Sequence, residues 1–465
     1  MLKMDEATIE QRYVLLVATL SSFLTPFMAS SINLAIPAIG SEFHAPAVVL
    51  NWIVTAYLLA SATFLVPFGR LADLYGRKKV FLIGTAIYTM LSLFSGLARS
   101  GEILLVLRVF QGIGGAMIFG TGPALLTSVF PIHERGKVLG LNIAAVYTGL
   151  SLGPVVGGFL TYQIGWRSIF FLNFILGLVV LVVTVTRLKG EWRGARGEKF
   201  DLGGAVLYSV SLAALMTGMA TLKTFAAASW IFFLGVAGLL GFIGWELRSS
   251  HPVLNLRLFR NVVFAFSNLA ALINYSATFG VSFLLSLYLQ LVKGFNPQTA
   301  GFILLAQPVL MAVFSPFAGR LSDRVEPRLV ASLGMFLNFV GLAFFAVLKE
   351  STALLFIIGE LMLMGLGFAL FSSPNTNAVM SAVEKKYYGV ASATLGTMRL
   401  LGQAFSMSLI TLLFALYLNN MKLTLTAAPM LLKSIHMAFG VSAVLCAAGV
   451  FASLARGRLR EKEEA

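Results

Sequence analysis

Cysteine is nearly missing from this chain of 465 residues: Cys446 stands alone, which excludes an intramolecular disulfide and any cysteine-based metal site. Charge is scarce as well, at 11% of residues, and acid is scarcer than base, with 19 Asp and Glu against 34 Lys and Arg. The 4 histidines, His44, His133, His251 and His436, are scattered near the ends of apolar runs. They form no cluster with acids that could serve an intramembrane enzyme. No GxxxxGK(S/T) phosphate loop occurs, and the longest internal polar stretches, 189–201 and 248–261, are too short for an ATPase or sensor domain. These absences predict a protein without metal or cofactor that is not an enzyme. What is present is apolar: 58% of residues are hydrophobic and the mean hydropathy is +0.88, so the expected solvent is lipid. The net charge of +15 is divided among many short loops, which suits membrane topology and attraction to anionic lipid rather than nucleic acid.

Apolar segments recur at about 13–39, 48–72, 80–98, 102–130, 138–162, 169–186, 202–222, 230–246, 262–291, 299–321, 329–348, 352–379, 389–417 and 434–455. Each comes close to the ~20 residues that a ~30 Å hydrocarbon slab requires, so the sequence predicts fourteen transmembrane helices. The basic residues test that count. Of the 34, Arg99, Arg167, Lys223, Lys293, Lys349, Lys422 and Lys433 fall in one set of alternate loops, Arg108 and Arg399 fall within spans, and the other 25 fall in the opposite loops. The asymmetry predicts an even number of spans with both termini cytoplasmic. The first span has no small-residue cleavage pattern before it and reads as uncleaved. The expected location is the plasma membrane of a bacterium or archaeon.

Two stretches repeat one plan. Gly69 to Lys79 reads GRLADLYGRKK, a basic turn between two spans, and Pro316 to Arg328, PFAGRLSDRVEPR, returns Gly319, Arg320, Leu321 and Asp323 in matching places. Such repeats mark a chain built from two halves. The expected organisation is 1–188, an N-terminal bundle of six helices; 189–260, a polar linker with an inserted two-helix hairpin; and 261–465, a second bundle of six. A third stretch, Gly149 to Gly158 (GLSLGPVVGG), places Gly149, Gly153 and Gly157 on one helix face, where a neighbouring helix can approach closely, and Pro154 bends that helix. GLSLG also fits the GxSxG pattern of serine hydrolases, but it lies inside an apolar span without the strand-turn-helix context that pattern needs.

GRLADLYGRKK resembles the loop signature between the second and third helices of the major facilitator superfamily. RVFQGIGG at Arg108 to Gly115 resembles the fourth-helix motif of that superfamily, and GLSLGPVVGG its fifth-helix antiporter signature. WRSIFFLN at Trp166 to Asn173 and HPVLNLRLFRN at His251 to Asn261 resemble segments of its fourteen-helix drug:proton antiporters. The resemblance implies an all-α membrane protein of two pseudo-symmetric six-helix bundles that rocks between inward-open and outward-open states, acts as a monomer, and exports lipophilic compounds in exchange for protons. It implies that Asp73 and Arg77, with Gly69 and Gly76, latch the cytoplasmic helix ends; beside that resemblance, the bend at Pro154 and the smooth face of Gly149, Gly153 and Gly157 describe a helix that can pivot. Asp323 repeats the latch in the second half. Leu74 and Glu326–Pro327 depart from the family pattern, which makes the second copy the weaker one. A solvated positive-inside loop accounts for the Lys and Arg here, but not for Asp73 with Gly69 and Gly76.

Charges within spans cost roughly 2.5 to 3.5 kcal/mol each on insertion scales, and three stand out: Arg108, Glu360 and Arg399. Counting rise along the spans puts Glu360 and Arg399 within about 3 Å of the same depth, close enough for an ion pair between helices. The alternative is that Glu360 carries the coupling proton. The resembled antiporters have an acid in the first helix before an Asn and a Pro; here Asn33 and Pro37 are in place, but Met28 stands where the acid would be. Phe27, Met28, Tyr57 and Tyr147 could line an apolar substrate pocket, with Asn33, Gln111, Asn274 and Gln307 orienting the ligand. A narrower reading is export of one metabolite, such as an amino acid or organic anion attracted by Arg108 and Arg399.

Overall fold

The computed structural model describes residues 6–45, 47–195, 197–221, 227–418 and 428–457. Lys3, Arg196, Lys223, Lys422, Arg458, Arg460 and Lys462, which entered the count of loop charges, lie outside the described residues. Among the described residues there is no strand, and 14 helices are long and apolar enough to cross a membrane. In lipid every backbone N–H and C=O must be satisfied internally, so apolar runs of this length have no other stable form.

The spans are α1 (Glu6–Phe43), α2 (Ala47–Tyr75), α3 (Arg77–Gly96), α4 (Gly101–Val129), α5 (Ile132–Gln163), α6 (Arg167–Arg187), α7 (Leu202–Thr221) and α8 (Ala228–Glu246). They continue as α9 (Val262–Val292), α10 (Gln298–Arg324), α11 (Pro327–Phe345), α12 (Leu354–Ser381), α13 (Tyr388–Leu418) and α14 (Ala428–Leu454). Polar residues start several of them. Ser100 Oγ accepts from the N–H of Ile103 at the start of α4, Asn261 Oδ1 accepts from Val263 and Phe264 at the start of α9, and Asn296 Oδ1 accepts from Thr299 before α10.

Helices α1–α6 and α9–α14 form two bundles with one internal plan. In the first, α1 packs on α5, α2 on α4, and α3 on both α4 and α6; in the second, α9 packs on α13, α10 on α12, and α11 on both α12 and α14. The bundles meet through two equivalent crossings, α2 with α13 and α5 with α10. Glycine allows both. A Cβ on Gly69 would lie 2.5 Å from the carbonyl oxygen of Gly389, and one on Gly319 would collide with the carbonyl oxygen of Gly136. The hairpin α7–α8 lies against α2 and α13, where Tyr208 reaches Thr397 at 3.3 Å and Ser209 donates to the Thr63 carbonyl at 3.3 Å.

The face of Gly149, Gly153 and Gly157 lies on α1, inside the first bundle. Added Cβ atoms would meet Phe23 and Phe27, then Ser30, then Ser31, and the hydroxyls of Ser30 and Ser31 donate to the carbonyls of Leu150 and Gly153 at 3.0 Å each. The basic turn corrects one expectation. Arg70 and Arg77 are not solvated but 2% exposed, and residues 188–195 and 197–200 fold against this turn as a strap.

Candidate functional site

Each crossing is closed by an aspartate at the end of one helix and the first turns of a helix in the other bundle. Asp73 of α2 is fully buried and accepts from the N–H groups of Gly389 at 2.8 Å and Val390 at 3.0 Å in α13. Arg77 holds the same carboxylate, donating from Nε at 3.0 Å and Nη2 at 2.6 Å. Its guanidinium also reaches Ser128 Oγ and the Lys385 carbonyl. The helix N-terminus supplies unsatisfied N–H groups and a positive dipole end, so a carboxylate suits it on both counts. The strap completes this latch. Gly194 and Ala195 donate to the Asp73 carbonyl, Arg77 N–H donates to the Trp192 carbonyl, and Glu198 pairs with Arg70 at 2.5 Å. Gly76, at φ +123°, is conformationally required there, and a side chain on it would strike the Glu191 carboxylate, which accepts from the Lys78 N–H.

Asp323 of α10 repeats the arrangement on α5, accepting from Gly136 N–H at 2.7 Å and Lys137 N–H at 2.9 Å. Proline 327 and Glu326 stand where Arg77 and Gly76 would be, so no arginine follows by one helical turn. Tyr388 joins the two latches at one end of the molecule: Arg77 lies 5.0 Å and Arg135 5.3 Å from its ring centroid.

Farther along the same interface, near the middle of α5, Ile143 and Tyr147 of the first bundle pack against Tyr275, Met311 and Phe368 of the second. Phe368 meets Tyr147 edge-on at 5.9 Å and Tyr275 at 5.3 Å, and Arg399 lies 5.7 Å from the Tyr275 ring centroid. Tyr275 and Phe368 escaped the sequence reading, since one follows a chosen Asn and the other is one Phe among 39.

The structure places the other candidate binding residues inside single bundles. Met28 is packed among Ile32, Ile53 and Phe170; Phe27 stacks on Phe23 at 5.3 Å; Asn33 is exposed on α1. Asn274 accepts from Asn338 at 3.1 Å within the second bundle, and Gln307 is buried beside Gly365. Tyr57 and Gln111 serve Arg108. That guanidinium is fully buried, 4.3 Å from the Tyr57 ring centroid, and donates to Gln111 Oε1 at 2.6 Å and the Ile53 carbonyl at 3.2 Å. Its Nη2 has no hydrogen-bond partner and it forms no ion pair among the described residues.

Glu360 and Arg399 are not brought together. Arg399 Nη2 donates to Thr376 Oγ1 at 2.7 Å, and Thr376 is about 24 Å along α12 from Glu360 at ~1.5 Å per residue. Equal depth by rise counting assumed level helix ends and ignored the reach of the arginine side chain toward the latches. Glu360 is 8% exposed, and its Oε2 has no partner among the described residues. A further correction concerns Arg456, counted as a loop charge. It is 1% exposed and donates to the Ser453 carbonyl, Ser267 Oγ and Asn375 Oδ1, tying the end of α14 to α9 and α12.

The Major Facilitator Superfamily family model matches residues 18–407 and 267–465, which together take in most of the chain. The chain belongs to the Major Facilitator Superfamily. This member is therefore a multi-pass membrane transporter and not an enzyme. It is 28% identical over 441 residues to the riboflavin transporter RibZ of Clostridioides difficile (strain 630), covering 94% of this chain and 95% of that one. It is 31% identical over 418 residues to the multidrug resistance protein Stp of Mycobacterium tuberculosis (strain CDC 1551 / Oshkosh), covering 88% and 77%. Its fold is similar to that of the proton:xylose symporter XylE bound to 6-bromo-6-deoxy-D-glucose, with TM-score 0.64, 15% identity and coverage of 94% and 95%.

Proposed function

We propose that this superfamily member is an alternating-access exporter of lipophilic, drug-like compounds driven by proton antiport, with the latched end facing the cytoplasm. The observation that carries the reading is the placement of two repeat-related aspartate latches and an aromatic cluster on one bundle interface. Release of Asp73 and Asp323 would free the α2–α13 and α5–α10 crossings together and expose Tyr147, Tyr275, Met311 and Phe368 from that end. Rings and a methionine suit varied apolar ligands. The excess of basic loop residues supports a cytoplasmic latch end, and the polar strap supports dividing the chain at 1–188, 189–260 and 261–465. We assign the proton to Glu360, a buried carboxyl whose Oε2 has no partner among the described residues, and the gating to Gly69, Asp73, Gly76, Arg77 and Asp323.

The test is uptake of a diverse panel into proteoliposomes, each compound with and without an imposed pH gradient. Gradient-driven movement of several unrelated lipophilic compounds supports the reading, and Glu360→Gln should reduce it to background. Full gradient-driven exchange in that variant removes Glu360 from the mechanism. A second reading is favoured by the name of RibZ and by Met28 in place of an acid: export of one metabolite. Movement of riboflavin or an organic anion alone from the panel would select it.

A further inference from the structure

The two latches differ in what lies over them. At the first, Arg70 is buried and paired with Glu198 of the strap, and α7 packs alongside on α2 and α13. Its repeat counterpart Arg320 is exposed, and among the described residues it forms no ion pair. Around Arg320 the helices α5 and α10 enclose a depression of about 730 Å³. His133 and Lys137 enter it from the first bundle, and Arg320 and Arg324 from the second. Its acids are Glu134 and Asp323, and the Asp323 oxygens already accept from Gly136 and Lys137.

We propose that this depression binds the headgroup phosphate of an anionic phospholipid, which takes at the second latch the place that Glu198 takes at the first. The surroundings favour a lipid over a soluble anion. Phe317 and Leu321 line the depression and are 58% and 41% exposed, and Ile132 beside it is 57% exposed, so an acyl chain finds apolar surface directly next to the charged groups. Guanidinium forks match phosphate oxygens in a bidentate way, and basic pockets between transmembrane helices commonly hold anionic headgroups. A phosphate bound by Lys137 and Arg320 together joins the two bundles at the latched end. The binding stands on geometry alone; its effect on the latched state rests on the alternating-access reading.

The test uses purified, delipidated full-length protein and native mass spectrometry with phosphatidylglycerol, phosphatidylethanolamine and inorganic phosphate. Retention of phosphatidylglycerol over phosphatidylethanolamine is expected, with a loss of roughly fivefold in affinity for each charge removed in Lys137→Gln plus Arg320→Gln. Lys79→Gln removes an exposed charge at the same end and should leave the preference intact. Equal retention of both lipids, an equal loss in Lys79→Gln, or displacement by inorganic phosphate at matching concentration would overturn the proposal. A photoactivatable phosphatidylglycerol on the unmutated protein gives a second readout. Crosslinks should map to 132–137 and 317–324, and their absence from both segments counts equally against it.

Discussion

The Asp73 and Asp323 latches share one backbone plan, but the first is embedded in protein and the second faces its surroundings. Asp73 has two backbone donors, the doubly donating Arg77, and a strap across its own carbonyl; Asp323 takes the two equivalent backbone donors from α5, and Pro327 stands where the arginine would be. Duplication of the half-chain thus accounts for the closing geometry, while the strap and the inserted hairpin make the halves unequal. The inserted α7 contacts α2 and α13, the first crossing, which gives the extra hairpin a structural role at one latch only.

The largest expected difference follows from removing each carboxylate charge. Asp73→Asn leaves the buried Arg77 uncompensated, worth roughly 3 kcal/mol or more, whereas Asp323→Asn weakens, among its contacts, the charge-assisted bonds from Gly136 and Lys137 with no arginine one helical turn on, worth roughly 1.5 kcal/mol. Because Cys446 is buried and alone, a Cys446→Ser background allows a cysteine at Val146, beside the aromatic cluster, to report opening. Labelling should rise about hundredfold for Asp73→Asn and about tenfold for Asp323→Asn. A larger rise for Asp323→Asn would invert the comparison.

Glycine substitutions should instead show where the latches are alike. Gly69→Ala and Gly319→Ala each place a Cβ against a backbone carbonyl that no rotamer change can move. Overpacking of this kind costs about 1–3 kcal/mol, so both variants should open roughly five- to 150-fold more readily in the same labelling assay. Tolerance at either site would mean that the crossing there is looser than its twin. A smaller difference is expected from the arginines. Glu198→Gln leaves Arg70 buried without its anion and, with Glu198 partly exposed, should cost about 1–2 kcal/mol of thermal stability in detergent. Arg320→Gln without lipid should change stability by about 0.5 kcal/mol or less.

The sequence made the fourteen spans legible because lipid leaves an apolar run no alternative to a helix, and it made Asp323 legible because Gly319, Arg320 and Leu321 came with it. The acceptor sites were not legible. Asp73 and Asp323 bind backbone N–H groups of α13 and α5, and a backbone donor has no side-chain signature, although Gly136 and Gly389 mark the two places. Burial of Arg70 was also hidden, because 189–201 reads as a solvated linker and nothing local says that Glu198 folds back over the turn. Rise counting failed for Glu360 and Arg399 because side-chain reach and helix ends are tertiary properties.

The smallest effect on opening is expected where an ion pair lies within one bundle and away from the crossings. Glu42, just beyond the apolar part of α1, accepts from Arg167 at 2.7 Å and from Trp166 Nε1 at 2.8 Å. The Arg167 bond, then the Trp166 bond, hold its carboxyl below the usual carboxylate value. A lowered folded-state pKa means the stabilisation is present above the unfolded-state value of about 4.5 and disappears as pH falls through the folded-state value. The pair is largely exposed, so Glu42→Gln should cost under about 1 kcal/mol at neutral pH, and its difference from the unmutated protein should shrink as pH falls below about 4.5. It should leave labelling at position 146 unchanged. A change there would mean that the bundle does not move as a rigid unit, and the contrast between the two latches would then have to be redrawn as a difference within the first bundle.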